Sequence, residues 1–560
     1  MNTRPAEAQR LKSHDLATSA CLMLAFTFAF SHMVFLHNAD FQQATAAWFD
    51  SGSLLQDYLG IVGPPIDLNQ THRYHTGIYG WIYNSMVVWG IIALKAVFGG
   101  SELGFPVFAG WARSVSFFFT VAGVGLLFGT LRKYGASYVV ALVATVVIAI
   151  FPSTVKFAYE VHPEPAGVFF VIVMLCALHH YCLEPVTREK YLLASWAAAV
   201  ASVLAKQSFM IYPLAPLIAV FAISLSHPSV KGRKGRTLVR LAAWFMLVAV
   251  GLVLIFHPYA VLDFPGFLAK QKEIHAFHAT LSMPVSASFK SWFNLLWHYD
   301  LWLLIAIAFA LIRLLHNRFR GDGEARLLDI YCVLLLLFFA LIVDQLRFYI
   351  LRGYLVPILP AAVVILIGVP AAWRGAIKAV GAVAVMLVFV AAIPPYVVNT
   401  AGILSYDLAL TSFNSMRIRQ PLLKLGARPW VVFYSSSLSV PGQLYKQAID
   451  NFKIGMDKDD IARAFWNLHP DLVIVDKAWR YATPDSFDAA AKANGLVLVA
   501  QMIGEDNNQW TCGRQFSYKQ CIQQVMELFH LERFGMPQAS NSAILFYAKP
   551  EMAPLFSDFR

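Results

Sequence analysis

GWARSVSFFFTVAGVGLLFGTLRKYG, residues 110–135, decides what kind of fold this chain can have. An apolar run of about 20 residues, enough to cross a hydrocarbon layer, is closed by the basic cluster LRKYG. Comparable apolar runs recur through residues 16–395. Of the 560 residues, 58% are hydrophobic and 14% charged, against about 45–50% and about 25% in soluble domains. A larger core does not close that gap, because a water-facing surface still needs charge. The chain reads as an α-helical polytopic membrane protein.

The first apolar run, Leu16 to Leu36, is too long for a removable signal peptide and lacks a small-residue cleavage site, so it is expected to stay as a span. The net charge of +11 comes largely from clusters between spans: LRKYG (131–135), VKGRKGRTLVR (230–240) and HNRFRGDGEAR (316–326). That is the bias that orients helices with their basic loops inside, so the charge requires no nucleic acid. With these loops inside, residues 37–106 form a long external loop. The stretch 76–99 within it is apolar enough to span but is placed along the outer surface, which keeps Arg132 and Lys133 inside. Further spans are expected near 107–130, 137–153, 165–182, 191–206, 208–225, 241–258, 298–315, 328–343, 354–371 and 379–395. That makes about eleven spans, an odd number, and puts the tail outside.

The composition changes over residues 396–560. Short β-rich runs, PWVVFYSS (429–436), PDLVIVDKAW (470–479), GLVLVAQMI (495–503) and SAILFYAKP (542–550), alternate with helical patterns. This suggests an external α/β domain. Cys512 and Cys521 lie in its polar part and would close a small disulfide loop in an oxidising compartment. Cys21, Cys176, Cys182 and Cys332 sit in apolar runs and read as inert core residues.

Ionisable groups near a bilayer cost free energy and mark pathways or sites. Asp40 follows the first span. AYEVHPEPAG (158–167) sets Glu160, His162 and Glu164 between two spans, with Pro163 and Pro165 expected to stop a continuous helix. Lys206 closes WAAAVASVLAK, and DQLRFYILRGYLVPILP (344–360) brings Asp344, Arg347, Arg352 and Tyr354 to the outer mouth of two spans. Carboxylates, a histidine and cations at one face can do acid–base work beside a bound phosphate. No phosphate-cradling glycine loop, zinc motif or nucleophile elbow is present.

These residues resemble the GT-C glycosyltransferases, especially the branch that includes protein O-mannosyltransferases and the bacterial aminoarabinose transferase acting on lipid A. That branch carries an acidic pair after the first span; ADFQQATAAWFDSG keeps Asp40, Ala47, Ser51 and Gly52, with Phe41 where the second acid stands. HTGIYGW (75–81) is similar to its KPPLYYW stretch, with His75 in the lysine's place. The 110–135 helix keeps Arg113, and 151–170 follows a segment in which Glu164 replaces an aspartate. VLAKQSFMIYPLAP gives Lys206 the family's lysine position, and RGYLVPILP resembles RYLLPLLP. The resemblance covers residues 16–371.

The resemblance implies a GT-C-like membrane domain over 1–395, a polyprenyl-phosphate sugar donor and inverting single displacement. Asp40 would be the general base, whereas by position alone it caps a following helix equally well. Glu164 would face it, with Glu160, His162, His75 and Arg73 toward acceptor or sugar. His162 with its two carboxylates could hold a divalent cation. Lys206, Arg352 and Tyr354 would hold the donor phosphate, and Arg113 would orient the loop. The acceptor would belong to the cell envelope, and the protein to a bacterial inner membrane with its site facing the periplasm. A transporter or flippase for a lipid-linked sugar, or a glycan ligase or polymerase, would use similar groups.

Overall fold

The computed structural model describes residues 4–36, 81–98, 105–183, 189–226, 234–257, 259–269, 271–272, 293, 296, 300–316, 323–342, 357–368, 376–408, 415–434, 440, 444–450, 469–476, 491–505, 539–557 and 559. Up to residue 408 they are helical. Five segments are long and apolar enough to cross a membrane: Ser13–Ser31, Gly110–Lys133, Glu164–Leu183, Val239–Phe256 and Val380–Val398. A bent pair makes a sixth, and four shorter apolar helices accompany them. These are fewer full-length helices than the eleven expected, a count that also included segments outside the described residues. Large apolar side chains point outward with no protein over them, among them Phe28, 89% exposed, and Ile255, 70% exposed. Surface of that kind is suited to lipid rather than water.

Helix α1 (Arg4–Leu36) runs antiparallel to α3 (Phe105–Lys133). Asp15 near the start of α1 pairs with Arg132 near the end of α3 at 3.1 Å, and Phe26 meets Phe117 further along, ring centroids 5.9 Å apart. Leu36 and Phe105 therefore lie at the same end of the bundle. Helix α2 (Trp81–Phe98) packs antiparallel on that end of α3: Tyr83 reaches Ala112 and Ser116, Trp111 donates to the Val87 carbonyl at 3.2 Å, and the Lys95 ammonium sits over the Phe108 ring. Gly90 permits this approach, because a Cβ there would fall 2.1 Å from the Trp111 indole.

Three helices depart from the sequence reading for identifiable reasons. The expected span at 137–153 is broken: α4 (Tyr138–Ala149) stops, and α5 (Pro152–Ala158) starts at an angle of 59°. Pro152 has no N–H for the Ile148 carbonyl, and its ring crowds the preceding turn. The Ile150 carbonyl at the break accepts from the Thr400 hydroxyl at 2.9 Å. The helix Ala376–Leu408 runs past residue 395 with Pro394 and Pro395 inside it. Within the expected span at 354–371 the described residues form Ile358–Val363 and then widen into a π-turn, Val364–Gly368. Of the cysteines, Cys182 and Cys332 are buried as expected, whereas Cys21 lies on the exposed face of α1.

Two helices meet at the candidate site: α6 (Glu164–Leu183) and α7 (Glu189–Ala205). The chain leaves α7 through Lys206 in extended backbone and a short 3-10 turn, Gln207–Phe209, before Leu214–Ser226. Gly167 of α6 faces the Phe209 ring, which a Cβ would strike at 2.4 Å. That close packing brings the start of α6 against the end of α7.

Toward the C-terminus, five strands form one mixed sheet in the order β2-β1-β3-β5-β4: β1 (Trp430–Tyr434), β2 (Tyr445–Asp450), β3 (Leu472–Asp476), β4 (Val497–Glu505) and β5 (Ala539–Ala548). β1 is parallel to both β2 and β3, and β5 is antiparallel to β3 and β4. Ile418 and Leu422 of the helix Ser415–Lys424 cover Val432, Leu472, Ile474 and Phe546. Strand β2 was not read in the sequence: at the sheet edge, with Lys446 and Gln447 exposed, it carries no apolar run. Asp471 before β3 accepts from Lys549 at 2.7 Å and from the Val431 N–H at 2.9 Å. Burial alone would raise its carboxyl, but those two donors outweigh it and hold the group below the usual carboxylate range.

Candidate functional site

The turn between α5 and α6, residues 159–163, is where charge enters the apolar bundle. Pro163 ends any continuation of α5, while Pro165 does not stop the next helix as expected. It sits in the first turn of α6, where a missing N–H breaks no intrahelical bond. Glu164 is therefore the first residue of α6, with its side chain turned inward. One carboxylate oxygen meets His162 Nδ1 and the other meets Lys206 Nζ. Glu164 is 1% exposed, His162 1% and Lys206 7%. Glu160, one helical turn from Lys156, faces its ammonium at 3.8 Å.

Desolvating charges is costly, and a buried pair offsets the cost only when both partners are in contact. Here one carboxylate serves two partners, so removing either changes the state of the others. The His162 ring also packs on Phe157, centroids 5.0 Å apart. Phe157 and Pro165 also line a small apolar pocket, together with Phe119, Thr120, Ile172 and Leu359 among others. The charged cluster thus adjoins an apolar pocket through Phe157 and Pro165.

The end of α1 reaches the same place. Val34 is buried against Val155 and Tyr159, the residue before Glu160. Arg113, also buried, lies on α3 one turn before Ser116. Ser116 and Tyr83 touch the 159–163 turn through hydrogen bonds and were not singled out in the sequence. The available signal was the run SVSFFFT, small hydroxyls in an apolar helix, which mark helix–helix contacts.

The structure therefore brings together His162, Glu164 and Lys206, and turns Glu160 toward Lys156. Asp40, Arg73, His75, Arg352 and Tyr354 lie outside the described residues, as do Cys512 and Cys521. Among the described residues, no three His, Cys, Asp or Glu side chains are grouped to hold a metal ion. His162 Nδ1 and both Glu164 oxygens are engaged with one another and with Lys206.

No protein-family model matches the sequence, and no curated protein matches it. Among solved structures the chain is similar to the Archaeoglobus fulgidus oligosaccharyltransferase solved with zinc and sulfate. That match has 13% identity and a TM-score of 0.37, over 74% of this chain and 62% of that one. The oligosaccharyltransferase AglB from Archaeoglobus fulgidus, in complex with an inhibitory peptide and a dolichol-phosphate, gives 12% identity and a TM-score of 0.38, over 74% and 64%. ArnT from Cupriavidus metallidurans in the apo state gives 15% and 0.38, over 86% of this chain and 96% of that one. The chain spans less than two thirds of the archaeal proteins and nearly all of ArnT. At this identity and TM-score the three are partial likenesses of shape.

Proposed function

We propose that the protein is a membrane glycosyltransferase that moves a sugar from a polyprenyl-phosphate donor to a cell-envelope acceptor on the external face of a bacterial inner membrane. The observation that carries this reading is the buried Glu164–His162–Lys206 cluster, which adjoins an apolar pocket through Phe157 and Pro165 and lies beside the end of α1. A lipid-linked sugar phosphate needs that combination: apolar walls for the chain and fixed charge for the head. Asp40 is four residues beyond Leu36. At about 3.5 Å per residue, its Cα stays within about 14 Å of the α1 end that packs on the 159–163 turn.

In the proposed reaction an acceptor hydroxyl attacks the anomeric carbon and the carbon–oxygen bond to the phosphate breaks. The hydroxyl proton passes to Asp40, and polyprenyl phosphate leaves with inversion. Charge develops on the departing phosphate, where Lys206, with Arg352 and Tyr354, would stabilise it. Glu164 holds Lys206 in place until the donor arrives, and Glu160, His162, His75 and Arg73 contact sugar or acceptor. The 396–560 region would be an external lid or an acceptor-recognition module.

The test feeds purified protein a radiolabelled polyprenyl-phosphate sugar. Release of free polyprenyl phosphate by the wild type, lost in Asp40→Asn, is expected; turnover surviving in Asp40→Asn removes the base role. A second reading, movement of a lipid-linked sugar across the membrane, is favoured by the two helix breaks, at residues 150–151 and 206–213. Broken helices of this kind line transporter sites. Transfer of label across a vesicle bilayer without bond cleavage would support it instead.

A further inference from the structure

Residues 159–163 bear the functional turn, yet their backbone has left helix α5 and not entered α6. A single hydroxyl compensates. Ser116 Oγ lies 3.0 Å from the His162 carbonyl and 3.3 Å from the His162 N–H. Tyr83 OH lies 2.9 Å from Ser116 Oγ and 2.9 Å from the Ala112 carbonyl. Both hydroxyl residues are fully buried.

Two hydroxyl hydrogens serve three oxygen–oxygen contacts. Ser116 Oγ donates to the His162 carbonyl and accepts from the His162 N–H. Tyr83 O–H has the Ala112 carbonyl and Ser116 Oγ as acceptors, each at 2.9 Å. Whichever of the two it serves, Ser116 bridges both polar groups of the His162 peptide and Tyr83 sits against it, hydroxyl to hydroxyl.

We propose that Ser116 and Tyr83 are positioning residues of the candidate site. They fix the His162 peptide, and so the imidazole that meets Glu164 and the carboxylate that holds Lys206. The inference deepens the transferase reading and rests on it for its kinetic part only. Tyr83 stands three residues into α2, the helix that follows the 37–80 segment carrying Asp40 and His75. The latch thus ties α2 and α3 to the 159–163 turn.

The experiment compares wild type with Ser116→Ala, Tyr83→Phe and the control Ser114→Ala. The Ser114 hydroxyl bonds its own helix, to the Gly110 carbonyl at 2.7 Å, and is not bonded to the turn. Two readouts are taken on the full chain in detergent: transfer kinetics, and acylation of Lys206 by a water-soluble amine reagent, followed by mass spectrometry. In Ser116→Ala the expectation is a fall in kcat on the order of 10²-fold, the scale of an ångström-sized misplacement, with KM little changed. Lys206 acylation rises at least several-fold. Tyr83→Phe, which deletes one oxygen, moves both readouts the same way by less, and Ser114→Ala moves neither.

Should Ser116→Ala fail to fold, Tyr83→Phe decides alone. A wild type with no transfer activity defeats the transferase reading while leaving the acylation arm intact, and increased Lys206 labelling then still supports the latch. Lys206 equally protected in all folded variants, or variants that change KM and not kcat, overturns it.

Discussion

Removing the Lys206 ammonium strands the carboxylate of Glu164, whose side chain is 2% exposed and has His162 as its other contact. Breaking one side of a buried ion pair costs roughly 3–5 kcal/mol, because an uncompensated charge is left in a poor solvent. Lys206→Met should therefore destabilise the chain by about that much. Glu164→Gln, which takes the carboxylate away from the ammonium, should also lower stability. The double variant Glu164→Gln/Lys206→Met buries no charge from this pair and is left with an unmade amide hydrogen bond, about 1–3 kcal/mol. The order of stability then inverts simple expectation, since two substitutions harm less than either alone. The assay is unfolding of purified protein in mixed micelles with rising denaturing detergent, comparing midpoints for the four chains. Additive losses, with coupling below about 0.5 kcal/mol, would refute the claim that these two charges hold one another.

Three further outcomes follow from packing and titration. Gly90→Leu must drive a side chain into the Trp111 indole; it should cost at least about 1–3 kcal/mol, and Trp111→Ala in the same chain should recover part of the loss in the same midpoints. Thr400→Val keeps the shape but leaves the Ile150 carbonyl without that hydroxyl, and should lower stability by about 1 kcal/mol; no change in the midpoint would mean the break needs no such tie. Asp471 titrates below its ordinary 3.8 in the folded chain. The stability it confers is therefore present above pH 3.8 and lost as pH falls through the folded value. Hydrogen exchange of β1 and β3, corrected for intrinsic rates, should show that acid-side loss in wild type and a flatter profile in Asp471→Asn.

Much of the membrane domain was legible because hydrophobic length is a local property. Each apolar run could be counted, and helices appear over most of those described. The pairing of Glu164 with Lys206 was half legible: a charge beside each of two spans demands a partner, but not which one. Reading Lys206 toward a phosphate overlooked that Glu164 is its resting partner. Ser116 and Tyr83 were not legible, since hydroxyls abound in these helices and only axial rotation and the α2–α3 register select these two. Pro152 lies inside the expected 137–153 span, and the bend it causes was not read. In the sheet, apolar strands announced themselves while the edge strand β2 did not. The order β2-β1-β3-β5-β4 depends on which long connection crosses which face, and no local pattern encodes that.

The bond from Thr400 to the Ile150 carbonyl spans 250 positions in the chain, and its consequence is temporal. A nascent polypeptide inserts α4 and α5 long before residue 400 exists, so the bent joint beside the candidate site waits through most of synthesis for its capping hydroxyl. The joint above the Glu164 turn is thus among the last parts of the bundle to be completed. A chain stopped short of the helix Ala376–Leu408 would have most of its helices and lack the tie that closes this joint, making assembly itself a check on whether the site is finished.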